Sequence, residues 1–172
     1  MLVPLLKGQS MQAVAGSLGA VVLGVALVIG GCASQRCEVS ESRRVEAEQA
    51  FGNYIAAINS NDLDRLLAMF TDDVVFLTPN APPIVGKAAV REWCAGYFDA
   101  FSTHWDKRSL EFEIAGDWAF ERYSYTSTDT PRGGGEPIVG TGWGMLIYRR
   151  EADGVWRVAR DAVGPDRAPP GG

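Results

Sequence analysis

The sequence predicts an α+β domain in which three helices pack on one face of a curved, mostly antiparallel sheet. Apolar residues recur at helical spacing through the first half of the domain, and they alternate with polar residues through the second half. One strand-like run interrupts the helices, and helices followed by a meander of strands are typical of this fold class. The 172 residues fit a single domain.

Three segments carry the helical pattern. The first helix is predicted over Glu41–Asn59, and glutamates near its start favour a helix N-terminus. A short second helix follows Asn61 or Asp62, either of which can cap it, and its apolar stripe continues to Phe70. The third helix is predicted over 87–101. Its apolar stripe, which we expect to pack against the sheet, is formed by Val90, Trp93, Cys94, Tyr97, Phe98 and Phe101.

The second half of the domain shows the period of two that is typical of strands. Leu110, Phe112 and Ile114 alternate with glutamates, and turns at glycine separate the runs that follow. An earlier β-branched and aromatic run lies between the second and third helices. The predicted strands therefore cover 73–78, the region around 110–114, 118–128, 139–150 and 155–163.

Alternation also predicts which charged side chains enter the domain. It places Glu121 on one face with Tyr123, with Arg122 on the other face, and it places Arg160 on the same face as Val158. A buried charge needs a partner or a shifted pKa, so Glu121 and Arg160 are candidates for a ligand site, with solvent exposure the alternative for the arginine. Asp72, Asp73 and Asp161 are the other candidate carboxylates for a pocket; the alternative for Asp72 and Asp73 is that they end the second helix and start the first strand.

Composition and charge exclude several function classes. The net charge of −5 and the acidic isoelectric point, about 4.9, argue against non-specific binding of nucleic acid. The single histidine, His104, rules out a multi-histidine metal site within one chain, and three cysteines are too few for a disulfide scaffold. We expect neither a metal nor an organic cofactor.

The N-terminal segment has the pattern of an export signal. No charged residue occurs over 11–31, Lys7 precedes this apolar run, and Ile29-Gly30-Gly31-Cys32 resembles a bacterial lipobox. We therefore predict a lipid-modified Cys32 and a domain anchored in the cell envelope outside the cytoplasm; an uncleaved helical anchor or plain secretion are the alternatives. The predicted organisation is a signal peptide at 1–31, a tether at 32–42, the domain at 43–164 and a disordered tail at 165–172.

The order of elements and four short motifs resemble the nuclear transport factor 2-like superfamily, which includes SnoaL-like polyketide cyclases and ketosteroid isomerases. The motifs are Tyr54…Asn61-Asp62-Leu63-Asp64, Phe70-Thr71-Asp72-Asp73-Val74-Val75-Phe76, Pro82-Pro83-Ile84-Val85-Gly86-Lys87 and Asp153-Gly154-Val155-Trp156-Arg157-Val158. The resemblance extends from Arg44 to about Val163. It implies a cone whose open end holds an apolar pocket, on a frame that hosts enzymes, binding modules and assembly domains.

Ketosteroid isomerases provide the sharpest comparison within this superfamily. Their reaction needs a carboxylate base and two acidic hydrogen-bond donors. By resemblance, Tyr54 holds the place of the tyrosine donor, Thr78 that of the base, and Leu146 that of the second donor. Because threonine is not basic near neutral pH, the resemblance does not predict isomerase activity here.

The sequence therefore predicts an exported domain that binds a small, largely apolar molecule in its conical pocket. The predicted ligand-binding residues are Tyr54, Trp93, Tyr97, Glu121, Tyr123 and Arg160. A cofactor-free cyclase, isomerase or hydrolase is the first alternative, and a dimerising interaction domain is the second. The expected partners are a small apolar molecule, a membrane reached through the lipid anchor, and a second copy of the chain in a homodimer.

Overall fold

A computed structural model describes residues 41–166. The predicted signal peptide, the lipid-modified Cys32, and most of the predicted tether and tail lie outside the described residues. Within residues 41–166, no helix is both long enough and apolar enough to cross a bilayer.

Residues 41–166 contain three helices, close to where the apolar spacing predicts them. Helix α1 is Glu41–Asn59, α2 is Leu63–Leu67 and α3 is Lys87–Ala100. Asp62 caps α2, because its Oδ1 accepts a hydrogen bond from the backbone N–H of Arg65 at 3.0 Å. The helices cover the inner face of the sheet.

Six strands form a single sheet with the order β2-β1-β6-β5-β4-β3. Neighbouring strands are antiparallel except β1 and β6, which are parallel. The predicted fold class, three helices on a mostly antiparallel sheet, is thus confirmed. The strands are β1 Phe70–Leu77, β2 Ile84–Val85, β3 Phe101–Ala115, β4 Trp118–Pro131, β5 Ile138–Arg150 and β6 Trp156–Pro165.

Strand β3 is longer than the sequence pattern predicted. It begins at Phe101, directly after α3, and its alternation is interrupted by a register shift against β4 between Ser109 and Glu111. This bulge leaves Leu110 exposed, whereas the prediction grouped it with the inward-facing Phe112. His104 lies within β3 with an exposed side chain.

The first strand also differs from its prediction. Phe70 is a fully buried residue of β1 rather than the end of the second helical stripe, and Asp72 and Asp73 lie within the strand with exposed side chains. Helical and extended periods cannot be told apart over the few residues of α2, which is why the boundary was misplaced. The short strand β2 was not predicted.

Aromatic side chains form much of the core between the helices and the sheet. Phe51, Tyr54, Phe70 and Tyr123 are buried. Their rings form two contacting pairs, Phe51 with Tyr123 at a centroid distance of 6.0 Å and Tyr54 with Phe70 at 5.8 Å. Trp93 is an exception to the predicted stripe of α3, because its side chain remains 42% exposed. Its ring packs against that of Phe76 on β1 at a centroid distance of 5.9 Å.

Candidate functional site

A cavity of about 200 Å³ lies between the helices and the inner face of the sheet. Its wall is largely apolar. The apolar wall includes Ile58, Leu66, Phe76, Cys94, Phe98 and Val163. Pro79 and Trp93 are exposed residues of the wall, whereas Tyr54, Cys94 and Asp161 are buried, so the cavity has an accessible end and a buried end.

The buried end of the cavity is polar. Tyr54 donates its hydroxyl proton to Asp161 Oδ2 at 2.6 Å, and Tyr123 donates to Asp161 Oδ1 at 3.3 Å. Lys107 Nζ lies 3.4 Å from the hydroxyl oxygen of Tyr123 and donates to it. Asp161, Tyr54 and Lys107 line the cavity, so a hydrogen-bonded chain of four side chains closes an otherwise apolar space.

The ammonium group of Lys107 lies among three aromatic rings. Its Nζ is 4.6 Å from the ring centroid of Tyr54, 4.9 Å from that of Trp105 and 4.5 Å from that of Tyr123. Burial lowers the pKa of Lys107 to about 8, although Asp161 and Glu121 favour its charged form. Burial and the neighbouring Asp161 carboxylate raise the pKa of Tyr54, which keeps that hydroxyl protonated.

Two asparagines hold β3, and with it Lys107, against the end of α1. The Asn59 side chain accepts from the backbone N–H of Trp105 at 2.8 Å and donates to its carbonyl at 3.0 Å. Asn61 makes the same pair of bonds to Thr103, also at 2.8 and 3.0 Å. The amides therefore pair with the edge of the sheet as a further strand would, and they fix the segment that carries Lys107.

A bulge in β6 decides which charge enters the cavity. The register against β5 shifts so that Ile147 pairs with Arg160 while Tyr148 pairs with Val158, which leaves Ala159 as the extra residue. Strict alternation therefore fails, and Asp161 takes the inner face that was predicted for Arg160. The Arg160 guanidinium instead donates to the backbone carbonyl of Asp73 at 3.1 Å, outside the cavity wall.

The structure brings together only some of the predicted ligand-binding residues. Tyr54, Trp93 and Tyr97 line the cavity, and the rings of Trp93 and Tyr97 stack at 5.5 Å. Tyr97 donates its hydroxyl proton to Asp129 at 2.5 Å, so it offers the cavity mainly its ring. Tyr123 stands behind Lys107 and Asp161 rather than on the cavity wall.

Glu121 is buried on the same inner face but away from the cavity. It is 1% exposed, and its Oε2 has no hydrogen-bond partner within residues 41–166. Burial raises the pKa of Glu121 to about 7, opposed by a polar contact with Ser109 and by the attraction of Lys107. Alternation correctly placed it with Tyr123, and Arg122 lies on the outer face beside Glu111.

Lys107 is the functional candidate that the sequence analysis missed. The alternation typical of a strand was present in the sequence. Every second residue from 101 to 107 falls on one face of such a strand, namely Phe101, Thr103, Trp105 and Lys107, and the residues between them are polar. The alternation was obscured because the third helix was extended to Phe101 and the strand was recognised only from Leu110. A strand that begins directly at Phe101 places Lys107 on the inner face.

A family model for the SnoaL-like domain matches residues 51–159. The chain belongs to the SnoaL-like domain family. No curated protein matches it at a significant level. Among residues 41–166, no three His, Cys, Asp or Glu side chains are arranged to hold a metal ion.

Solved structures with this fold cover most of the SnoaL-like domain. A ketosteroid isomerase-like protein from Erwinia carotovora atroseptica is 25% identical with a TM-score of 0.68, covering 75% of this chain and 100% of that one. A conserved protein from Planctomyces limnophilus is 30% identical with a TM-score of 0.67, covering 73% of this chain and 99% of that one. The same fold is found in a candidate dehydratase of the NTF2-like family from Streptomyces avermitilis. It is 15% identical with a TM-score of 0.67, and the match covers 75% of this chain and 100% of that one.

Proposed function

We propose that the SnoaL-like domain binds a small, largely apolar molecule that carries one hydrogen-bond acceptor. The observation that carries the proposal is an apolar cavity of about 200 Å³ with a polar cluster at its buried end. The hydroxyl protons of Tyr54 and Tyr97 are already donated to Asp161 and Asp129. The ammonium of Lys107 is the charged donor on the cavity wall, and we propose that the ligand meets it at the buried end.

The charge of this cluster favours a neutral ligand over an anion. Asp161 lies beside Lys107, and a second carboxylate brought into the same apolar space would be repelled by it. The oxygen of a neutral carbonyl compound accepts a hydrogen bond from the ammonium without that repulsion. The apolar part of the same compound then contacts Phe76, Phe98 and the ring of Trp93. A neutral aromatic or aliphatic carbonyl compound satisfies both ends of the cavity.

Filling the cavity tests this proposal. Val163→Phe places a larger side chain on the cavity wall, and Val85→Phe adds the same volume at an exposed position of β2. We expect naphthalene and acetophenone to quench the tryptophan fluorescence of the parent and of Val85→Phe, and to bind Val163→Phe at least about tenfold more weakly. Equal binding to both variants would place the ligand elsewhere.

A cofactor-free enzyme is the second candidate, favoured by the Tyr54–Asp161 hydrogen bond at the cavity. A carboxylate held in an apolar site beside a hydroxyl donor can move a proton on a bound carbonyl compound. Thr78 and Pro79 line the accessible end, at the place where ketosteroid isomerases carry their base. We expect no isomerisation of a β,γ-unsaturated ketosteroid by the parent and weak activity in Thr78→Asp; activity in the parent would make Asp161 the candidate base.

Export and lipid anchoring belong to the same proposal. The lipobox-like run ending at Cys32 supports attachment of the domain to a membrane through lipid on that cysteine. We expect Cys32→Ser to accumulate as an uncleaved precursor or to leave the membrane fraction. A variant that fractionates and migrates like the parent would exclude lipidation.

Homodimer formation through the outer face of the sheet is supported by its exposed apolar side chains. Val139, Trp143 and Met145 alternate on that face of β5, and Trp143 is 57% exposed. We expect Trp143→Lys to shift the sedimentation of the protein from dimer to monomer. The control Val85→Lys changes an exposed residue at the far edge of the sheet and should leave the dimer intact.

A further inference from the structure

We propose that Lys107 condenses with its ligand: its side-chain amine forms a reversible imine with a small apolar aldehyde or ketone bound in the cavity. This inference rests on the proposed binding function, because it names the ligand class of the same cavity. It adds a covalent step that neither the family nor the fold implies.

Burial of Lys107 favours a nucleophilic amine, and it outweighs the three aromatic rings around Nζ and the Asp161 carboxylate, which favour the charged form. Three aromatic rings lie within 4.9 Å of Nζ, and its hydrogen bond is to the neutral hydroxyl of Tyr123 at 3.4 Å. Lys107 forms no ion pair with a carboxylate among residues 41–166. Apolar surroundings destabilise the charged form of an amine, and the lowered pKa, about 8, gives a useful fraction of free amine at mildly alkaline pH.

Lys87 provides an internal comparison for Lys107. The chain contains three lysines, of which Lys87 and Lys107 lie in the described domain. Lys87 Nζ donates to the backbone carbonyl of Phe70 at 3.1 Å and lies 3.5 Å from Asp72 Oδ1. Its amine is therefore engaged by a carboxylate at the surface, whereas that of Lys107 faces the cavity.

The condensation is balanced without an oxidant or a cofactor. The Nζ lone pair forms a bond to the carbonyl carbon, and the carbonyl electron pair moves to oxygen, which takes up a proton and gives a carbinolamine. The hydroxyl group then leaves as water. This water carries away both protons of the amine, and a carbon–nitrogen double bond remains. Tyr54 and Asp161 line the same end of the cavity, where they can exchange protons with the departing oxygen. Hydrolysis reverses the reaction.

Reductive trapping tests the imine directly. The full chain, purified in detergent, is incubated with benzaldehyde and sodium cyanoborohydride, and the modified lysines are located by peptide mass spectrometry. We expect a benzyl group on Lys107 at about ten times the level on Lys87, with a yield that rises with pH through about 8. This comparison is made within one folded molecule, so it does not depend on any variant.

Two variants separate the role of the amine from that of the cavity. Lys107→Met removes the amine but keeps an unbranched apolar side chain, and Lys87→Arg removes the surface amine. We expect Lys107→Met to lose the trapped adduct, and Lys87→Arg, which changes a residue outside the cavity wall, to retain both the adduct and naphthalene binding. Circular dichroism confirms that each variant is folded.

The possible outcomes distinguish the two proposals. Naphthalene binding without an adduct on Lys107, or equal labelling of Lys87 and Lys107, would overturn the imine while leaving the binding function in place. Failure of both naphthalene and benzaldehyde to bind would overturn the binding function and the imine with it. Selective labelling of Lys107 that is lost in Lys107→Met supports both.

Discussion

Two buried carboxylates lie in one row across the sheet, and their surroundings differ sharply. Leu146 of β5 pairs with Glu121 of β4 on one side and with Asp161 of β6 on the other. All three side chains are buried. Asp161 accepts hydrogen bonds from two tyrosines and lines the cavity, whereas Glu121 has an oxygen without a partner within residues 41–166.

This difference shows that burial alone does not identify a functional acid. For Glu121, burial disfavours the charged form and raises the pKa to about 7. The hydroxyl groups of Tyr54 and Tyr123 give both side-chain oxygens of Asp161 a hydrogen-bond partner, and Asp161 lies at the end of an apolar space. The better site candidate is therefore the acid with partners and access to the cavity, rather than the acid with the conspicuous pKa.

Removing Asp161 should produce the largest loss of stability. Asp161→Ala leaves the hydroxyl groups of Tyr54 and Tyr123 without their acceptor and removes the carboxylate nearest Lys107. We expect the free energy of unfolding to fall by about 3–5 kcal/mol, measured by urea titration. Asp161→Asn keeps one acceptor oxygen and should lose about half as much; equal stability of Asp161→Ala and the parent would contradict the hydrogen-bonded cluster.

Displacing a partner of Asp161 should have the next largest effect. The ring of Tyr123 lies across Gly144, and a Cβ atom at that glycine would overlap the ring and its hydroxyl. We expect Gly144→Ala to lower stability by about 1–3 kcal/mol in urea and to weaken ligand binding, because Tyr123 also contacts Lys107. Gly96→Ala is the matched control, since its Cβ meets open space on α3 and should be neutral or slightly stabilising.

Replacing Glu121 should change the pH dependence of stability rather than remove a necessary contact. The pKa of Glu121 is about 7 in the folded protein, above its ordinary value of 4.5, so its stability contribution is complete below about pH 4.5 and is lost as pH rises through about 7. Glu121→Gln carries no charge at any pH. We expect it to match the parent near pH 4.5 and to be about 1–3 kcal/mol more stable near pH 8.

Denaturant titrations at several pH values measure this difference. The lowered pKa of Lys107 acts only at and above about pH 8, so the window from about pH 5 to 7.5 reports Glu121. A Glu121→Gln variant that is less stable than the parent across this window would show that the carboxylate makes a necessary interaction.

The sequence predicted the fold well because repeated apolar spacing survives small errors at element ends. It predicted the site less well because one bulge in β3 and one in β6 interrupt the alternation between inward-facing and outward-facing side chains. The bulge at Ala159 placed Asp161 rather than Arg160 at the cavity, and the one at Leu110 separated Lys107 from the clear alternation around Phe112. One extra residue has little effect on a hydrophobic pattern, but it reverses the direction of every side chain beyond it.

Replacing Arg160, the residue before Asp161, should have the smallest effect. This small effect would show that the hydrogen-bonded cluster around Asp161 does not include Arg160. Arg160 is one residue away along β6, but its guanidinium reaches the backbone of Asp73 and is partly exposed. Arg160→Met therefore removes a surface contact worth about 0–1 kcal/mol and should change naphthalene binding by less than about twofold. If fluorescence titration instead showed a loss of binding as large as the tenfold loss expected for Val163→Phe, the arginine would belong to the ligand site after all.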